Sequence, residues 1–192
     1  MAKSKDMKQA IIESAWELFY ERGFEETTVQ DIIDKAGIAK GSFYYHFKGK
    51  DTLLNTLSDL LDEKYKELEE AMPEGEDSFQ KLVWLNYQMH DYIGKRVDCR
   101  LLARLYSTQL IKSEESNLLD QERYYFRLIT RLIREGQERG ELSGELSTQE
   151  IMRYYSMCER AMVTDWCMNE GNYSLGEYSK ECFPFMLAKI KA

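Results

Sequence analysis

From Lys40 to Lys50 the chain reads KGSFYYHFKGK, with four aromatic side chains and a histidine filling positions 43–47, a serine just before them and lysines at 40, 48 and 50. Phenol, hydroxyl and ammonium groups gathered this densely suit the donation of hydrogen bonds to a polyanion and the neutralisation of its charge. The spacing allows it. Phe43 and Phe47 stand four residues apart, on one face of a short helix over Lys40–Phe47, and can anchor that helix to a core. Lys40, Ser42, Tyr44 and Tyr45 then occupy its remaining face.

The neighbouring elements must hold this helix in place. Apolar residues Ile11, Ile12, Ala15, Leu18 and Phe19 recur at helical spacing from Lys8 to Arg22, while Glu13, Glu17 and Glu21 line another face. Gly23 stops this first helix and Phe24 closes over its last turn. Thr27 and Thr28 offer N-caps to a second helix two turns long, with Gln30 three residues after Thr27 as in a capping box. Its apolar stripe is Val29, Ile32, Ile33 and Ala36, and Gly37 breaks it. Two short helices joined by a glycine-containing turn and packed on a longer one describe a helix-turn-helix unit.

Beyond Gly49 a long fourth helix runs from Lys50 to about Ala71, ended by Pro73 and Gly75. Further helical patterns cover Ser78–Val97, Arg100–Gln109, Leu118–Gly136, Ser147–Gly171 and Ser174–Ile190. Asn86 and Glu122 interrupt otherwise apolar stripes. Ser147 with Glu150, and Ser174 with Glu177, form capping boxes, and Pro184 is expected to kink or interrupt the last helix.

Composition agrees with an all-α protein. Of 192 residues 43% are hydrophobic, enough for a core, and only two are proline. Four cysteines (Cys99, Cys158, Cys167, Cys182) without a CxxC pair fit neither a zinc ribbon nor a disulfide scaffold, and imply reduced, mostly buried thiols. No apolar run reaches the length of a membrane span, so a cytoplasmic protein is expected. The net charge of −8 lies wholly beyond residue 50, because the eight bases and eight acids of residues 1–50 balance. Such asymmetry points to two regions with different partners.

TTVQDIIDKAGIAKGSFYYHFKGKDTLL, residues 27–54, strongly resembles the DNA-binding segment of the TetR family of bacterial transcriptional regulators, through its Thr-Thr, Asp-Ile, Ala-Gly-Ile, Gly-Ser, Phe-Tyr-Tyr-His-Phe and Lys-x-x-Leu-Leu positions. The resemblance implies about nine helices: a three-helix DNA-binding domain over residues 1–49 and a helical effector-binding and dimerisation domain over 50–192. Ala39 departs from the Ser or Thr that often caps the third helix in the family, which removes about 1 kcal/mol of local helix stability.

The same resemblance places the third helix in the major groove with Lys40, Gly41 and Ser42 nearest the base edges, Lys40 being the candidate for reading guanine. Tyr44, Tyr45 and His46 would meet phosphates, sugars or thymine methyl groups, with a structural hydrogen bond the equal alternative for His46. Lys50 is expected to hold a phosphate at the start of the fourth helix, and Thr27, Thr28 and Gln30 to hold the DNA backbone likewise. Lys3, Lys5 and Lys8 form either a basic arm or a solvated terminus.

The resemblance also implies a twofold dimer whose recognition helices enter successive grooves about 34–36 Å apart, and with it a double-stranded palindromic operator. Tyr155, Met162, Trp166, Cys182, Phe183 and Met186, on the last two helices, are the candidate interface of this homodimer. The middle helices offer Trp84, Tyr87, Met89, His90, Tyr106, Gln109, Tyr125 and Phe126 as the lining of a small-molecule effector site, each with core packing as its alternative role. The implied mechanism is a population shift in which effector binding swings the fourth helix and the repressor leaves its operator. No cofactor is implied. An enzyme has little to build on with two histidines and no phosphate loop. A helical adaptor, and a thiol-based redox sensor using Cys158, Cys167 or Cys182, are the remaining alternatives.

Overall fold

The computed structural model describes residues 2–111 and 118–192, the side chains of 2–5, 108 and 111 excepted. Among them are nine α-helices and no strand: α1 (Ala2–Arg22), α2 (Val29–Ala36), α3 (Lys40–His46), α4 (Leu57–Glu70), α5 (Ser78–Arg96), α6 (Cys99–Ile111), α7 (Tyr124–Glu138), α8 (Thr148–Met168) and α9 (Leu175–Met186). None is long and apolar enough to cross a membrane. Two compact units divide the described residues, 2–59 with 104–111 and 60–103 with 118–192. The first unit therefore takes in residues 50–59 and the second half of α6 in addition to the three N-terminal helices.

In the first unit α1 lays Ile11, Ile12, Ala15, Leu18 and Phe19 into a core shared with Ile32 and Ile33 of α2 and with Phe43 and Phe47. The carboxylates foreseen along α1 turn out to have a partner on α2, where Lys35 pairs with Glu17 at 3.0 Å and Glu21 at 3.4 Å. The cap of α2 is Thr28: its side chain accepts from the Asp31 amide while Asp31 accepts from the Thr28 amide, a closed capping box. Gln30, expected as the box partner of Thr27, bonds Asp34 instead at 2.8 Å. Gly37 ends α2 at φ 62°, ψ 36°, a left-handed conformation that glycine adopts without a Cβ penalty, and the Ile38 amide returns to the Ile33 carbonyl at 3.2 Å.

Helix α3 has no side-chain N-cap bond, since Ala39 supplies no acceptor. The Lys50–Thr56 stretch is a 3₁₀ helix, not the first turns of a continuous fourth helix. Thr56 accepts the Trp16 indole N–H at 2.9 Å, fixing this stretch to α1.

In the second unit α5 runs along α9 and packs on α7, and α8 packs on both α7 and α9. Gly176 permits a close approach: a Cβ there would come within 2.8 Å of the Asp91 Cα on α5. Helix α8 starts at the expected Ser147–Glu150 box. Helix α7 begins at Tyr124 rather than Leu118, because residues 118–123 form turns in which Asp120 accepts the Glu122 and Arg123 amides. Helix α9 continues past Pro184 for two residues and then tightens into a 3₁₀ turn over Ala188–Ile190.

Candidate functional site

The outward face of α3 carries Lys40, Gly41, Tyr44 and Tyr45, with Tyr45 79% exposed and Tyr44 48%. Phe43 is fully buried and Phe47 nearly so, their rings 6.0 Å apart. A seven-residue helix that turns Phe43 inward, with Phe47 buried as its extended C-cap, cannot also bury two tyrosines on its other side, so the phenols stand in solvent. Tyr44 sits edge-on to Phe43 at 5.3 Å, and Tyr45 edge-on to His46 at 4.9 Å. Ser42 and His46 are half-buried. Lys40 and Lys48 are exposed and make no ion pair with another described residue. Lys8 is exposed on α1, while the side chains of Lys3 and Lys5 lie outside the described residues.

Two of the expected DNA contacts are built into the fold instead. Thr27 is fully buried, and its hydroxyl donates to the Gly23 carbonyl at 2.7 Å, so it braces the α1–α2 turn. The Lys50 ammonium donates to the carbonyls of Phe24 at 2.5 Å and Glu25 at 3.3 Å, and lies 4.3 Å from the Phe24 ring centroid. Arg104 of α6, which sequence reasoning missed, covers the same ring at 4.9 Å and pairs with Glu25 at 2.6 Å and Asp51 at 2.9 Å. Its partners lie more than fifty residues away along the chain, beyond any local spacing rule. Thr28 and Gln30 remain exposed on the first turn of α2.

Lys50→Ala is thus expected to act through stability. Loss of two charge-assisted hydrogen bonds and a cation–ring contact should cost about 1–2 kcal/mol in denaturant titration, while the salt dependence of DNA binding stays unchanged. A phosphate ligand would flatten that dependence.

The proposed effector lining separates into three places. Met89, His90, Tyr125 and Phe126 are buried in the second unit. Trp84 and Tyr87 instead line a surface groove of about 320 Å³ with Phe79, Val83, Lys180 and Pro184. Tyr106 and Gln109 belong to the half of α6 that lies in the first unit. Helical spacing groups residues along one helix, but it does not reveal which face meets which neighbour.

Around His90 and Tyr125 lies a polar cluster inside an apolar core. Glu159 of α8 is 8% exposed and accepts from the Tyr125 hydroxyl, from Asn86 Nδ2 at 3.1 Å and from the Tyr65 hydroxyl at 3.5 Å. Tyr155 donates to the Leu82 carbonyl at 3.0 Å. Burial pushes the Glu159 carboxyl above the usual carboxylate range and the phenols of Tyr65, Tyr125 and Tyr155 well above theirs. Burial also pushes His90 down to about 3, so the ring is neutral. With Asn86 Nδ2 facing Nε2 at 3.4 Å, that nitrogen accepts, and Nδ1–H donates to Ser179 Oγ. Asn86 was visible in the sequence as a break in an apolar stripe. Glu159, four residues after Tyr155 and three before Met162 on the buried face of α8, carried the same signal.

Four of the six expected interface residues, Tyr155, Met162, Trp166 and Phe183, are buried within the protomer's own core. Cys182 and Met186 are half-buried. The apolar side chains that α8 and α9 leave in solvent are Met157, Met168, Tyr178 and Phe185, the last 84% exposed. Burial raises the thiols of Cys99 and Cys158, and that of Cys167 to about 11, which keeps them in the unreactive protonated form.

A model of the tetR family of bacterial regulatory proteins matches residues 11–57, and a model of the YsiA-like protein C-terminal region matches residues 57–189. The HTH-type transcriptional regulator TtgR of Pseudomonas putida is 28% identical over 164 residues, which cover 79% of this chain and 78% of that protein. Among solved structures, the fatty acid degradation regulator FadR of Bacillus halodurans aligns with a TM-score of 0.69 at 25% identity over 94% of each chain. Thermus thermophilus FadR, a transcriptional repressor solved in complex with lauroyl-CoA, aligns with a TM-score of 0.68 at 21% identity, covering 96% of this chain and 95% of its own.

Proposed function

Because the chain belongs to the TetR family of bacterial regulatory proteins and carries a YsiA-like C-terminal region, we propose that it is a homodimeric repressor that binds a palindromic operator and is released by a small-molecule effector. The observation that carries this reading is the contrast between Phe43 of α3 and its C-cap Phe47, both buried, and an outward face of Lys40, Gly41, Tyr44 and Tyr45. On that reading α3 enters the major groove. Lys40 reads a base edge and the tyrosines donate to phosphates or pack against sugars, with Ser42, His46, Thr28 and Gln30 at the margins of the contact.

The first turn of α3 meets the DNA because Gly41 adds no side chain between backbone and groove: a Cβ there would have open space around it, so internal packing does not explain the glycine. The dimer would form through the solvent-facing sides of α8 and α9, where Met157, Tyr178 and Phe185 offer apolar surface for a second copy to cover. A small-molecule effector is supported by the acyl-CoA complex of the Thermus relative, and release would follow if the effector favours a conformation that separates the two reading heads.

Fluorescence anisotropy on a retained duplex, at several salt concentrations, tests the reading. Lys40→Ala is expected to weaken specific binding by about 1–3 kcal/mol and to relax preference at one base position. Tyr45→Phe should weaken binding to all sequences by about 0.5–1.5 kcal/mol through one lost hydrogen bond. Unchanged affinity in both variants would remove α3 from the interface.

A further inference from the structure

We propose that Glu159 is the charge-recognising group of the effector site and that the effector is an apolar organic cation, an amine or quaternary ammonium compound. This rests on the reading of the second unit as an effector domain. The carboxylate accepts from Tyr125, Asn86 and Tyr65, three uncharged donors supplied by α7, α5 and α4. Uncharged donors satisfy its lone pairs but supply no counter-ion, so burial favours the neutral acid, and a cationic ligand would bring the charge that holds the group ionised.

The basic groups nearby do not supply it. Arg123 pairs with Asp62 at 2.7 Å. His90 is buried and neutral. Arg160, the next residue of α8, acts on Glu159 only through space, and no lysine or arginine among the described residues makes an ion pair with it.

A second observation lies beside the first. Asn86 is fully buried, and its Oδ1 has no hydrogen-bond donor although its Nδ2 is engaged with Glu159. A fully buried carbonyl oxygen without a donor is uncommon in folded proteins. A ligand N–H would serve the orphaned oxygen and the carboxylate together, and a quaternary ammonium would serve the carboxylate alone. The rings suit a cation as well. Tyr65 and Tyr125 lie 5.1 Å apart, Tyr155 is fully buried, and the electron-rich faces of phenols attract a desolvated ammonium group. Leu82, whose carbonyl accepts from Tyr155, and Met162, whose sulfur lies 3.9 Å from the Ser179 hydroxyl, are buried apolar side chains beside the cluster. An acyl thioester offers no positive charge to Glu159.

Calorimetric titration of the full chain with octylammonium, octanol and lauroyl-CoA at neutral pH tests the proposal, because the first two probes share a chain and differ in head group. Octylammonium should bind at least about 10-fold more tightly than octanol, and Glu159→Gln should reduce that preference to within about threefold. Octanol binding as tightly as octylammonium, a preference that survives Glu159→Gln, or binding of lauroyl-CoA alone would overturn it. Should Glu159→Gln fail to fold, the wild-type ranking of the two head groups decides. DNA retention measured without any probe judges the regulator reading separately. A chain that retains DNA yet ranks octanol first loses only the cation proposal, and one that ranks octylammonium first without retaining DNA loses only the regulator.

Discussion

Phe43→Ala is expected to abolish DNA binding and to produce an early melting transition in circular dichroism. The side chain is fully buried, within ring contact of Phe47 at 6.0 Å, and it anchors a helix of seven residues that has no side-chain cap. Helices this short are not stable on their own, so tertiary anchoring supplies nearly all of the order of α3. Removing a buried phenylalanine ring costs about 3–5 kcal/mol, a large fraction of the stability of a small domain. Tyr44→Ala is the control: half-exposed, it should shift the melting transition little while still weakening DNA binding. Equal loss of stability in both variants would show that the outward and inward faces of α3 have been misassigned.

The second large effect is expected at Asp62. Its carboxylate accepts from Arg123 Nη2 at 2.7 Å and Nε at 3.3 Å, and from the Tyr124 amide at 3.1 Å. Both side chains of the pair are nearly buried, 13% and 11% exposed. Asp62→Ala removes the carboxylate from a desolvated guanidinium, whose Nη1 still donates to the Leu118 carbonyl at 3.2 Å, and from the first amide of α7, and should destabilise the chain by about 3–5 kcal/mol in urea titration. Replacing both partners, as in Asp62→Leu with Arg123→Leu, should recover much of that loss, because no unpaired charge is then left inside. A loss in the double variant as large as in Asp62→Ala would mean that the pair is held by more than charge and hydrogen bonding.

What could be read from the sequence was local. Thr28, Gly37, Ser147 and the Phe43–Phe47 pair act over one or two helical turns, and caps, left-handed turns and same-face anchors are fixed at that range. The all-α architecture followed from the same signals. What escaped is set by contacts between distant segments. Lys50 looked like a phosphate ligand because its acceptors, Phe24 and Glu25, lie in a turn about 25 residues earlier. Thr27 looked like a cap because nothing in its neighbourhood announced that its hydroxyl would turn back to Gly23. Tyr155, Met162, Trp166 and Phe183 have the composition of an interface, yet the protomer buries them itself, and the exposed face holds Met157, Tyr178 and Phe185. An apolar stripe identifies a buried face without saying whether the same chain or a second copy covers it.

The central claim, that the Lys40–Tyr45 face of α3 reads duplex DNA in two symmetric copies, is tested most directly by selecting retained fragments from a random duplex pool at fixed salt, with wild type and Lys40→Ala side by side. The account predicts an inverted repeat whose half-sites lie about one helical turn apart, with relaxed sequence at one position of each half-site in the variant. Recovery of fragments without a repeat, or of the same sequence from both proteins, would contradict it.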